Sequence, residues 1–236
     1  MIYQTVLLVL LLAVIFFISK RTINLIYSVI LKIFKNKKAA GWVLAIFLLP
    51  GTVIHELSHL IMALVLRVPT GPLTIWPSFE KEDNDKEFKI RTGHIMVAKT
   101  SPFKMTLIGV APMITGLAMI YLIGQFIFNT SEESWLHFVQ PATIRGVISL
   151  GSLIYLLFVI SLCMFSSRQD LKSLFITMPV IILVVSGLYF SGIKIVMEEN
   201  LIESMLRILL GLNKGLILTG IVDSGILVIL TGLRWL

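Results

Sequence analysis

The stretch Ala39-Ala40-Gly41-Trp42-Val43-Leu44-Ala45-Ile46-Phe47-Leu48-Leu49-Pro50-Gly51-Thr52-Val53-Ile54-His55-Glu56-Leu57-Ser58-His59-Leu60-Ile61-Met62-Ala63-Leu64-Val65-Leu66 is one apolar run with a His-Glu-x-x-His pattern inside it. It is long enough to cross a bilayer as a helix. On a helix His55 and His59 share a face and can grip one metal ion, and Glu56 can take a proton from metal-bound water. Ionisable groups at bilayer depth are costly and mark a functional site by default. The leading expectation is therefore a zinc peptidase working in or at a membrane. The competing reading is a buried polar cluster that only joins helices. The chain has four histidines, His55, His59, His94 and His137. At this composition a chance H-E-x-x-H is expected about 0.003 times, so coincidence is set aside.

The rest of the chain fits a membrane setting. Of 236 residues, 57% are hydrophobic and 14% charged, far from the soluble average. The net charge of +7 comes from basic loops between apolar segments, with no separate basic patch, so nucleic acid is excluded as a partner. Cys163 is the single cysteine, which rules out an internal disulfide and a cysteine-rich zinc site. Val6 to Ile18 is apolar, but Lys20-Arg21 follows instead of a small-residue cleavage site, so Ile2 to Ser19 reads as a retained span. Lys20 to Lys38 mixes six basic residues with apolar ones and suits a helix lying on the membrane surface, or a plain juxtamembrane linker.

Ala39 to Leu66 is the second span, with Pro50-Gly51 set to kink or break it just before the motif. Leu73 to Lys99 changes character: Leu73 to Trp76 and Glu87 to Val97 read as short strands around a charged turn, Glu80 to Lys86. Further spans follow at Pro102 to Phe128, where Pro112 disturbs the helix near its middle, Gly146 to Phe165 and Leu174 to Ile195. Met197 to Leu212 reads as an interfacial helix. Gly215 to Leu233 is a sixth span or a re-entrant piece, interrupted by Asp223. The fold class is an all-α integral membrane protein with five to six transmembrane helices and a small strand-containing insert at the membrane edge. It divides into 1–38 (first helix and basic segment), 39–195 (core) and 196–236 (C-terminal segments).

A catalytic zinc usually takes three protein ligands and one water. Asp170, just past the fourth span, is the topological candidate, because the second and fourth spans cross in the same direction. Its alternative role is a helix N-cap. Asp223 is the rival ligand. The acidic residues Glu80, Glu82, Asp83, Asp85 and Glu87 read as a solvated cluster; His94 is a candidate to shield the site or bind substrate, against the plainer reading of a lone loop histidine that does neither.

The segment Gly51 to His59, then Gly93-His94 in a strand-rich insert, then Leu107-Ile108-Gly109-Val110-Ala111-Pro112, resembles the site-2 protease group of intramembrane zinc metallopeptidases and related M50-like peptidases. The likeness spans roughly Ala39 to Ser173. The chain lacks the family's N-P-x-P-x-D-G-like segment, and Ser166 to Lys172 stands in its place with Asp170 at the ligand position. The resemblance implies a zinc-dependent membrane endopeptidase, with Zn²⁺ on His55, His59 and Asp170 and with Glu56 as catalytic base. It also implies a membrane-protein or membrane-associated peptide as substrate. The alternative is a non-catalytic metal-binding membrane scaffold or transporter component. Location is the lipid bilayer, the plasma membrane for a prokaryotic chain. The basic Lys20 to Lys38 segment assigns itself to the cytoplasm, whereas Arg67 to Lys104, with seven basic and five acidic residues, votes weakly for the opposite sidedness.

Overall fold

The computed structural model describes residues 2–76, 78–81, 88–91, 93–129, 144–165, 183 and 198–235. In chain order they form helices α1 (Ile2–Phe34) and α2 (Lys37–Val65), and strands β1 (Thr70–Thr74), β2 (Ser78–Lys81), β3 (Phe88–Arg91) and β4 (His94–Val97). Helices α3 (Pro102–Asn129), α4 (Ile144–Met164) and α5 (Glu199–Trp235) follow. Among the described residues four helices, α1, α2, α3 and α5, are long and apolar enough to span a bilayer, and α4 adds a shorter apolar stretch, Ile148–Met164. Large apolar side chains such as Phe17, Ile61, Ile221 and Val228 stand exposed on the outer faces. That surface suits lipid as the solvent. The chain is an integral, multi-pass membrane protein. The expected fifth span, Leu174 to Ile195, falls outside the described residues except for Leu183.

Two differences from the sequence reading have clear causes. First, α1 does not end at Ser19. It runs on through Lys20 and Arg21, both exposed, with the Lys20 ammonium 4.1 Å from the centre of the Phe16 ring. Basic residues with long apolar stems do not break a helix. The true stop is Lys35, at φ 51°, whose amide bonds to the Leu31 carbonyl at 2.8 Å. Asn36 then caps α2, its side-chain oxygen accepting from the amides of Lys38 (2.9 Å) and Ala39 (3.3 Å). A two-residue connection thus turns α1 into α2. Second, the interfacial segment expected at Met197–Leu212 and the apolar run after it are one helix, α5, with no break at Asn213 or Lys214.

α4 is the centre of the bundle. Residues 157–164 are buried without interruption, the mark of a helix enclosed on all sides. Its Leu157, Ile160 and Met164 pack with Ile15 of α1, Ile120, Ile123 and Ile127 of α3, and Leu216 of α5. Its Phe158, Val159 and Leu162 pack with Ile26 of α1 and with Leu44 and Leu48 of α2. The Tyr155 hydroxyl donates to the Phe47 carbonyl (2.7 Å), and Gly51 meets Val159 one turn on, so α2 and α4 run the same way, as expected. α1 and α5 are also parallel, since Asn213 bonds to Gln4 at one end while Ile30 and Leu230 line a common cavity at the other.

The insert is a long two-stranded ribbon. β1 pairs with β4 and β2 with β3, all antiparallel, with a register shift between Thr70 and Leu73. Val68 and Val97 sit by Ala63, Gly93 lies against Thr52 and Glu56, and Trp76 meets Trp42 at 5.9 Å. The ribbon therefore climbs back along α2. Its departure is set by the end of that helix: Arg67 (φ 54°) donates to Leu64 O at 3.0 Å and Val68 to Ala63 O at 2.8 Å, a Schellman closure built without glycine.

Two substitutions test this account. Arg67→Gly removes left-handed strain from an exposed residue and is expected to stabilise the protein by about 1 kcal/mol. Gly51→Val is expected to destabilise it by about 1–3 kcal/mol, because a Cβ there would lie 2.6 Å from Val159 O and 2.7 Å from Cys163 Sγ. Thermal unfolding in micelles measures both.

Candidate functional site

The polar cluster grows from one proline. Pro112 lies inside α3 and has no amide hydrogen, so the carbonyl of Ile108, four residues back, loses its helical donor. His59 fills the gap: its Nδ1 lies 2.8 Å from Ile108 O. Because a carbonyl only accepts, Nδ1 carries the hydrogen, and Nε2 of a neutral ring is then an acceptor. The His55 Nε2 atom lies 3.2 Å from His59 Nε2, with the rings edge to face at 86° and their centres 4.8 Å apart. This assigns His55 as donor to His59, and His59 as donor to α3. The helix spacing read from the sequence does bring the two imidazoles together. Their shared chemistry is a hydrogen-bond relay from α2 into the backbone of α3.

Glu56 is buried beside them, under the ribbon. A Cβ at Gly93 would lie 2.9 Å from Thr52 Cγ2 and 3.2 Å from Glu56 Cγ and Oε1, so only glycine lets the strand approach this closely. His94 follows as the first residue of β4, paired with Thr74, and its Nδ1 is buried with no hydrogen-bond partner among the described residues. Asp170 and His137 lie outside the described residues.

The expected zinc centre is overturned. Among the described residues, no group of three or more histidine, cysteine, aspartate or glutamate side chains is arranged to hold a metal ion. The facing nitrogens of His55 and His59 lie 3.2 Å apart, and among the described residues no third donor is arranged with them. Asp223, the rival third ligand, is taken up elsewhere: it is fully buried on α5, with its Oδ2 2.8 Å from Ser161 Oγ of α4. The expectations of a zinc-dependent membrane endopeptidase, of peptide-bond hydrolysis by an M50-like protease and of a Zn²⁺ cofactor are corrected accordingly.

A second polar layer was missed in the sequence. Ser19 and Thr22 of α1, Ser161 of α4, and Thr219 and Asp223 of α5 are all buried to within 1% of complete. Ser19 Oγ donates to Ser161 O at 3.3 Å, and the Ser161 hydroxyl faces both Asp223 Oδ2 and the Phe158 carbonyl, the latter at 2.7 Å. The signal was faint: on α1 the two hydroxyl residues, Ser19 and Thr22, flank the charged pair Lys20-Arg21 and so read as part of a polar boundary. Hydroxyls also bond locally within a helix, so spacing alone does not single out those that cross between helices. No family model, curated protein or solved structure matches the chain.

The relay makes a double-substitution prediction. His59→Phe orphans Ile108 O and is expected to cost about 1–2 kcal/mol in micelle unfolding. Adding Pro112→Ala supplies a backbone amide to that carbonyl and is expected to recover part of the loss. Equal losses with and without Pro112→Ala would show that the His59–Ile108 contact is not what stabilises the helix pair.

Proposed function

We propose that this chain is a non-catalytic multi-pass membrane scaffold, a helical platform that holds lipids or other membrane proteins. The carrying observation is the His55–His59–Ile108 relay, in which the motif residues join two helices. Other polar groups support the same reading, because they too connect elements: Asn213 to Gln4, Tyr155 to Phe47, and Ser161 to Asp223. Polar side chains used in this way act as glue between membrane helices. The expected five to six spans would take in α4 and the Leu174–Ile195 segment, and for a prokaryotic chain the location we assign is the plasma membrane.

One observation favours a second reading, a transporter component. Asp223 is an acid at bilayer depth, and its Oδ1 has no partner among the described residues. Such residues mark ion pathways in other membrane proteins. A proton or sodium flux assay in vesicles, wild type beside Asp223→Asn, separates this from the scaffold.

The scaffold is tested by elemental analysis of detergent-purified protein together with Glu56→Gln. The expected result is zinc well below one ion per chain, no change in melting temperature on chelation, and an unchanged cellular phenotype for the variant. One bound zinc per chain together with loss of phenotype in Glu56→Gln would overturn the proposal.

A further inference from the structure

A cavity of about 500 Å³ lies between α1, α2, α4 and α5. That falls within the roughly 300–1,000 Å³ typical of ligand pockets. Its walls include Ile30 of α1, Val43 and Phe47 of α2, Gly151 of α4, and Ile226 and Leu230 of α5. No lining residue is charged, and the one side-chain polar group, the Tyr155 hydroxyl, is already donated to the Phe47 carbonyl. The interior therefore has nothing to offer a polar ligand, and only hydrocarbon fits it.

Gly151, one of the lining residues, is exposed to this open space. A Cβ placed on it meets nothing within 4 Å. Helical glycines at Gly51 and Gly215 are explained by backbones pressing against them, whereas Gly151 is not. Here the missing side chain enlarges the cavity.

The helices that line the cavity lead to a basic end of the bundle. Ile30 is five residues before the α1–α2 turn and Val43 seven after it, about 8–10 Å along a helix axis. The turn carries Lys35, Lys37 and Lys38, all exposed, with Lys32 one helical turn earlier. The sequence places Arg145 and Arg234 at the matching ends of α4 and α5. The segments meeting here, 30–43, 144–154 and 226–235, contain no acidic residue. Clusters of this kind attract anionic headgroups.

We propose that this cavity is a binding site for one acyl chain of an anionic phospholipid, with the lipid phosphate held by Lys35, Lys37 and Lys38. Charge complementarity selects the headgroup, and the apolar walls take the chain. A neutral phospholipid would gain only the second contribution. The site gives the lipid-holding scaffold reading a specific ligand and rests on it in that respect, but it shares no residue with the histidine relay.

The test is native mass spectrometry of the full chain released from detergent with added dioleoylphosphatidylglycerol, dioleoylphosphatidylcholine or oleate. The wild type is expected to retain the phosphatidylglycerol about tenfold more tightly than the phosphatidylcholine, since about two lysine contacts suffice for such a preference. A Cβ at Gly151 meets nothing within 4 Å, so Gly151→Phe extends a side chain into the open space. It is expected to weaken phosphatidylglycerol binding about tenfold while melting at or above the wild-type temperature, because it also removes a helical glycine. The triple variant Lys35→Gln, Lys37→Gln, Lys38→Gln is expected to bind both phospholipids equally. Equal retention of the two by the wild type, undiminished binding by Gly151→Phe, or oleate binding as tight as phosphatidylglycerol would each overturn the proposal.

Discussion

In hydrocarbon, a backbone carbonyl without a donor costs several kcal/mol, and no water is present to supply one. This constraint organises the polar interior of the molecule. Pro112 breaks the ladder of α3 at one rung, and the released carbonyl of Ile108 must be met from outside the helix. His59 meets it. His59 then needs its own acceptor nitrogen satisfied, and His55, one turn earlier on α2, is placed to do so. A proline on one helix thereby fixes which face of another turns toward it. The chain Pro112, Ile108, His59, His55 links a sequence feature to a helix rotation.

Once α2 is held in that rotation, its other faces have defined neighbours. Gly51, one turn before His55, presses against Val159 and Cys163 of α4. The face bearing Thr52 and Glu56 is roofed by Gly93, where only glycine fits. Phe47 and Leu48 extend the contact with α4, with the Tyr155 hydroxyl fastening one carbonyl and the Cys163 thiol donating weakly to another, Leu48 O, at 3.9 Å. The small residues permit close approach and the polar ones fix its register, which is how helices associate when apolar side chains gain nothing by leaving lipid. α4 lies at the centre because its apolar residues continue round its whole circumference from Leu157 to Met164.

Much of this was legible. The strand-containing insert followed from the change of pattern after Gly71-Pro72, and the boundaries of α3 and α4 fell within two residues of the apolar runs. Local signals were less informative where tertiary context decides. Lys20-Arg21 looks like a span boundary by charge, but a helix stops only where caps stop it, and Lys35-Asn36 carries that role. The site shows the same limit more sharply. Spacing of four places His55 and His59 on one face with certainty, because that is a property of a single helix. A third metal donor is a property of several helices at once. Asp223 was a candidate by its placement in an apolar run, but its partner is Ser161, which no local pattern connects to it. Pro112 was noticed as a helix disturbance, while its consequence, a free carbonyl four residues earlier, requires asking where each backbone group finds its partner.

The two ends of the bundle differ in kind, and the difference follows from the same chemistry. Toward the middle and the ribbon side, glycine contacts and interhelical hydrogen bonds draw α2, α3 and α4 together. Toward the α1–α2 turn those devices run out. Gly151 has no neighbour, the Tyr155 hydroxyl is the last polar link, and lysines replace glycines as the notable residues. Helices that share a turn but lack small-residue contacts cannot close fully, since their branched side chains hold the backbones apart. An apolar gap there costs little if lipid fills it and considerably more if it is empty, because unfilled volume forfeits dispersion contacts on every wall. A bundle pinned at its polar relay and holding an apolar cavity toward its basic end therefore favours an occupant drawn from the surrounding leaflet.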